Sequence, residues 1–200
     1  MRRAAAPLLD ELAAALEDVA VAVERRDHEL AIASLERARS IDDLGARFEE
    51  AVDVSRETTR YAPPRRRARG AVESYADAAG RIDLAVRNVR VLARVTIRAL
   101  SLEENVPPEI AHAMRELAAA VRALAPALED PERSEEVREP AMRAAAEATQ
   151  VLEATGNLSV SVIVGQIRST AADLLAATGM SHEESTDAVR DAIREAEDAL

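Results

Sequence analysis

The sequence has no cysteine, no tryptophan and no lysine, and its 200 residues include only three aromatics, Phe48, Tyr61 and Tyr75. Without thiols there is no disulfide, no thiolate nucleophile and no cysteine-ligated zinc. With so few aromatics the core must be built from Leu, Val, Ile and Ala, which suits closely packed helices better than a β-sandwich. The absence of lysine beside abundant alanine is the coding bias of a GC-rich genome and carries no binding signal. Glycine and proline are scarce, at 6 and 8, so loops are few. The glycines stand alone at positions 45, 70, 80, 156, 165 and 179, which excludes a phosphate-cradling loop. Neither a G-x-S-x-G elbow nor an H-E-x-x-H motif occurs.

Long apolar runs are also missing. The longest charge-free stretch, Ala154 to Ile167, is interrupted by Gly156, Asn157, Ser159 and Ser161. It falls short of the roughly 20 apolar residues that span a bilayer. At the start, Met1-Arg2-Arg3 leads into alanines that Asp10 and Glu11 interrupt, so no signal peptide is expected. The charge is one-sided: 37 acidic against 26 basic residues, a net −11. That balance, with almost no aromatics, argues against a nucleic-acid partner, which calls for a basic stripe and stacking side chains.

What remains is helix-forming sequence rich in Ala, Leu, Glu and Arg. Leu9, Leu12, Leu16, Val19 and Val23 step by three and four, predicting a first helix that starts at Pro7. Asp27 is placed to cap a second, running to about Arg39, and Ser40 with Asp43 resembles a capping box for a third, running to about Tyr61. Pro63-Pro64 breaks the pattern, and a long helix follows from about Ala71 to Leu102. Pro107-Pro108 open a helix with Ile110, Met114, Leu117, Val121, Leu124 and Leu128 on one stripe, which Pro126 should kink near its end. Pro140 is read as the start of another helix to Thr155, and Gly156-Asn157 as its stop. A further helix spans about Leu158 to Thr178. Ser181 with Glu184 then caps the last, which carries Val189, Ile193, Ala196 and Leu200 on one face. The expected fold is all-α: an antiparallel bundle of about seven or eight helices with a long central helix. It forms a single domain over 1–200, with sub-bundles 1–104 and 105–200 as the alternative division.

Two segments read as buried. Between Arg81 and Leu100, Ile82, Val86, Val89 and Ala93 make one apolar stripe and Leu84, Val91 and Val95 a second, so this helix should touch several neighbours. Asn88 falls between Leu84 and Val91 and needs a hydrogen-bond partner if buried. Asp83 and Arg87 stand at i, i+4. In the second segment, Leu158 to Thr178, the polar interruptions are Gln166, Arg168 and Asp173, and Gly165 permits a close helix approach. Asp83, Arg87, Asn88, Gln166, Arg168 and Asp173 therefore form a candidate buried polar cluster. They either lock the register of the bundle or line a small pocket in which Asn88, Gln166 and Arg168 grip an organic anion. Arg65, Arg66, Arg67 and Arg69 form the strongest charge cluster, either a solvated helix start or an anion or lipid-headgroup contact, with Arg2-Arg3 in the same sense. His28, His112 and His182 lie far apart, the first and last in predicted first turns where exposure is expected. Glu109 and His112 give one E-x-x-H, where helical di-iron sites need two. The acidic pairs, such as Glu49-Glu50, read as solvated faces and caps. No catalytic residue, metal site or cofactor is expected.

Three stretches carry a family resemblance. They are Tyr75-Ala76-Asp77-Ala78-Ala79 leading into Ile82 to Asn88 and Val91 to Arg94, Pro107-Pro108 with the helix after them, and Gln166 to Ser169 with Asp173-Leu174-Leu175 and Thr178-Gly179. In these the chain resembles the soluble region of actinobacterial members of the aromatic acid exporter family, also called fusaric acid resistance protein-like. The resemblance implies a helical region on the cytoplasmic side of the inner membrane, with a membrane domain of the same polypeptide as its partner, a role in assembly or gating, and an aromatic carboxylate as ligand. It supplies no catalytic residue. The membrane helices of the family do not accompany this sequence, so it is expected to be an excised soluble region or a stand-alone relative. A stand-alone helical interaction module, including a homo-oligomer, is the alternative.

Overall fold

The computed structural model describes residues 2–61 and 66–198. Seven α-helices make up nearly all of them: α1 (Arg2–Arg25), α2 (His28–Tyr61), α3 (Arg66–Ser101), α4 (Pro108–Glu129), α5 (Glu135–Ala154), α6 (Leu158–Ala177) and α7 (His182–Asp198). A short 3₁₀ turn, Pro131–Arg133, joins α4 to α5. No strand occurs among the described residues, so this is an all-α helical bundle.

Inter-helix ion pairs report the helix directions. Glu17 pairs with Arg122 and Glu24 with Arg115, so α1 and α4 run antiparallel. Arg37 of α2 meets both Glu11 and Asp18 of α1, and Arg90 of α3 meets Asp42 of α2. Glu116 and His112 of α4 meet Arg143 and Glu147 of α5, again with opposed numbering. The apolar stripes lie inside this frame. Leu9, Leu12, Leu16, Val19 and Val23 are all buried, as are Ile110, Met114, Leu117, Val121, Leu124 and Leu128. One hydrophobic cluster runs from Ala5 to Ile193, through both halves of the chain. The long helix α3 touches α1, α2, α4 and α6, whereas α4 is the more enclosed, with 12 of its 22 residues buried.

Four helix starts differ from the sequence expectation, one of them that of α3, which begins at Arg66 rather than near Ala71. Ser40 does not cap a new helix: its hydroxyl donates to the Arg37 carbonyl at 2.8 Å inside a continuous α2. The buried series Leu35, Ala38, Ile41, Phe48 and Val52 carries the helix straight through that position. Pro7 and Pro140 are each the sixth residue of their helix rather than the first. There the missing N–H leaves one opening-turn carbonyl, that of Arg3 or Glu136, without its intrahelical donor, and both residues are exposed, so water can bond it instead. At Pro126 the helix runs on to Glu129, and the Asp130 N–H bonds the Pro126 carbonyl.

Other end signals hold. The Asp27 carboxylate accepts the Leu30 N–H at 3.0 Å. Asn157, read as part of a stop, caps the following helix, its side chain accepting the Val160 N–H. Gly179 sits at φ +102°, a left-handed conformation that favours glycine after α6. Ser181 and Glu184 form a reciprocal capping box: the Ser181 N–H donates to Glu184 at 2.8 Å and the Glu184 N–H to Ser181 at 3.2 Å. Ser181→Ala should therefore cost about 1 kcal/mol, seen as a lowered urea midpoint with unchanged slope. A midpoint equal to that of the parent would contradict the box.

Candidate functional site

The two segments read as buried, α3 and α6, lie side by side. Asn88 of α3 donates its amide to the Asp173 carboxylate of α6 at 2.9 Å, and Arg81 lies 3.7 Å from the other Asp173 oxygen. The Asp173 side chain is only 13% exposed. Burial pushes its carboxyl above the usual aspartate range, and the opposing pull of Arg81, His182 and Asn88 does not cancel it. The ionised group thus costs stability as pH rises from the ordinary aspartate value through the raised one, opposite in sign to a salt-bridged surface carboxylate.

Over this pair opens a cleft of about 580 Å³ between α3, α6 and the start of α7. Leu84 and Asn88 line one wall, His182 and Val189 the other, and Gly165, Arg168, Ser169 and Ala172 the floor. The Arg168 guanidinium has no hydrogen-bond or ion-pair partner among the described residues. The arrangement offers a fixed carboxylate, an amide and a free guanidinium around a partly apolar floor. That set suits non-covalent binding of a small polar molecule.

Of the six polar residues expected to cluster, Asn88, Arg168 and Asp173 come together. Asp83 and Arg87 pair with each other at 2.8 Å on the solvent side, with Arg87 67% exposed. Gln166 does not line the cleft; its Oε1 is buried without a hydrogen-bond partner among the described residues. Asp83 and Arg87 lie more than a quarter-turn round α3 from Asn88, and Gln166 lies about as far round α6 from Arg168. Arg65 and the side chains of Arg66, Arg67 and Arg69 lie outside the described residues. Sequence reasoning missed Arg81 and His182. Arg81 opens an apolar segment and reads as its polar boundary. His182 reads as an exposed first-turn residue, which it is, yet the turn at Gly179 sets it against the cleft.

His112 makes a separate polar contact, with its Nδ1 2.6 Å from a Glu147 carboxylate oxygen. That hydrogen bond, with the charge of Glu147 behind it, raises the His112 pKa above the ordinary 6.5. The folded state holds the proton more tightly than the unfolded chain. The pair's contribution is therefore complete below the ordinary value and is lost as pH rises through the raised one. An NMR titration should place His112 above 6.5, and Glu147→Gln should return it toward that value. An unchanged titration in the variant would sink the assignment. Among the described residues no group of three or more His, Asp or Glu side chains is arranged to hold a metal ion.

No family model matches the chain. It is 29% identical, over 192 residues, to an uncharacterized protein of Corynebacterium glutamicum. The match takes in 91% of this chain and 48% of the relative, so the chain spans about half the length of the curated relative it matches.

Proposed function

We propose that this chain is the soluble helical region of an inner-membrane exporter of aromatic acids, lying on the cytoplasmic side and acting in assembly or gating rather than in chemistry. The observation that carries the reading is the Asn88–Asp173 bond. It joins two of the three stretches on which the family resemblance rests, so those residues are neighbours in space rather than scattered echoes of composition. The Corynebacterium relative supports a two-part protein, since about as much of its sequence lies outside the match as within it. The test is cellular. The complete reading frame, expressed in its native host, should pellet with membranes and resist carbonate extraction, and its deletion should sensitise cells to hydroxybenzoates. A reading frame that ends with this chain and stays in the soluble fraction would overturn the proposal.

The unpartnered Arg168 beside Asn88 favours a second reading, a bundle that binds a small organic anion in the α3–α6–α7 cleft. Calorimetry of the isolated chain with hydroxybenzoates should then give heat that Arg168→Ala abolishes. No heat at millimolar ligand rejects that reading while leaving the first intact.

A further inference from the structure

Five large apolar side chains are exposed among the described residues, and four of them belong to one pair of neighbouring helices. Leu84 (40%) lies on α3 and Leu102 (56%) just beyond its end, while Leu158 (76%) and Val162 (36%) lie on α6. The second apolar stripe of α3, Leu84, Val91 and Val95, is therefore only partly covered. α6 is the one described helix long and apolar enough to cross a membrane by length and composition, and only 56% of that stretch is buried. Its outer face carries Leu158, Val162, Gly165 and Ser169, one and two turns apart.

Charge on this face is segregated. No carboxylate stands between Asp83 and Glu103 or between Glu153 and Asp173, and of these four Asp83 is paired with Arg87 and Asp173 is bonded by Asn88. Elsewhere most arginines are neutralised by acidic partners, for example Arg37, Arg115, Arg122 and Arg143. On this face Arg94, Arg98 and Arg168 have no side-chain partner among the described residues. Arg94 and Arg98 stand one turn apart on the outer side of α3, among the exposed apolar residues.

We propose that the α3–α6 face docks on an anionic lipid surface, with Arg94, Arg98 and Arg168 on lipid phosphates and Leu102 and Leu158 as shallow apolar anchors. The charge pattern selects the occupant. A second copy meeting this face about a two-fold axis would set arginines against arginines, because the carboxylates there, Asp83 and Asp173, are already held by Arg87 and by Asn88 with Arg81. The two most exposed leucines stand at helix ends, beyond the span that a partner helix laid along the α6 groove would cover. Guanidinium groups bind phosphate oxygens in pairs, and apolar side chains flanked by arginine suit the boundary between headgroups and acyl chains. The proposal concerns this face alone and does not depend on the exporter reading, because vesicles supply the membrane.

The test uses the chain with liposomes of phosphatidylcholine alone or with 30% phosphatidylglycerol. Binding is expected to the mixed vesicles only, weakening as salt is raised. Arg94→Glu/Arg98→Glu/Arg168→Glu should lower partitioning about 100-fold or more, from roughly fivefold per arginine removed. The charge-matched control Arg39→Glu/Arg47→Glu/Arg56→Glu changes unpartnered arginines of α2 and should bind as the parent does. Leu102→Glu/Leu158→Glu should also lose binding, with helicity and melting unchanged in every variant. Failure to bind either vesicle overturns the proposal, as do equal binding to both and equal loss in the two triple variants. A dimer in light scattering that Leu102→Glu/Leu158→Glu dissolves, without vesicle binding by the parent, overturns it in favour of a second copy. An acidic amphipathic peptide that the parent binds while ignoring vesicles overturns it in favour of a protein partner.

Discussion

Tyr75→Ala is expected to destabilise the fold by about 3–5 kcal/mol, the range for truncating a large buried aromatic side chain. Tyr75 is fully buried in α3 and is among the largest side chains in the core. Its ring meets Phe48 of α2 edge-to-face, with centroids 6.2 Å apart. Its hydroxyl donates to the Ala125 carbonyl of α4 at 3.2 Å. One side chain therefore ties three helices, and small surrounding residues leave nothing bulky to fill its place. Tyr75→Phe keeps the ring and should cost about 0.5–1.5 kcal/mol, the net worth of one hydrogen bond, because the Ala125 carbonyl keeps its intrahelical donor. Urea unfolding of the two variants separates the ring from the hydroxyl. A loss below 1 kcal/mol in the alanine variant would remove Tyr75 from the centre of the core.

Ala118→Leu should destabilise as well, by about 1–3 kcal/mol, although it adds apolar surface to a buried site. Ala118 is fully buried in α4, and six of the twelve buried residues of that helix are alanine. Small residues let α1, α5 and α6 approach α4 closely, so there is no room for three more carbon atoms without moving a helix. For a chain of this size each kcal/mol corresponds to roughly 2–4 °C in Tm. A melting point above that of the parent would show an unfilled space at this position and reject the close-packing account.

The helical fold was legible because its signals are local and repeated. The Leu9-to-Val23 stripe, the Asp27 cap, the Ser181–Glu184 box and the stop at Gly179 each depend on residues a few positions apart. The misreadings came where the chemistry is degenerate. Ser40 serves a cap or a mid-helix back-bond equally well, and only the continuing apolar series through Ile41 and Phe48 decides between them. A proline six residues into a helix gives up one bond to an exposed opening turn, so Pro7 and Pro140 mark a neighbourhood rather than a boundary. The site was half legible. Asn88 and Asp173 announce themselves as polar residues on apolar helices, but their pairing across 85 positions follows from how α3 and α6 dock. His182 enters the cleft because of a turn, which spacing along the chain does not show, whereas Asp83 and Arg87 leave it because of a helix angle that their spacing from Asn88 does give.

The ion pairs between α1 and α4 leave an ambiguity that Asn105 resolves. Glu17–Arg122 and Glu24–Arg115 are spaced seven residues apart on both helices. Sliding α4 by one heptad would bring Arg115 to Glu17 and Arg122 to Asp10, with charges still matched. The neighbouring apolar stripe repeats at the same interval, so neither charge nor greasiness distinguishes the two alignments. The hydrogen bond that Arg26, just past the end of α1, donates to the Asn105 side-chain oxygen at 2.7 Å has no counterpart one heptad away, because positions 98 and 112 carry Arg and His. That bond acts as an alignment pin. Its loss in Asn105→Ala weakens the preference for one docking depth over another, so exchange-broadened or doubled NMR signals from α1 and α4 should accompany whatever stability is lost.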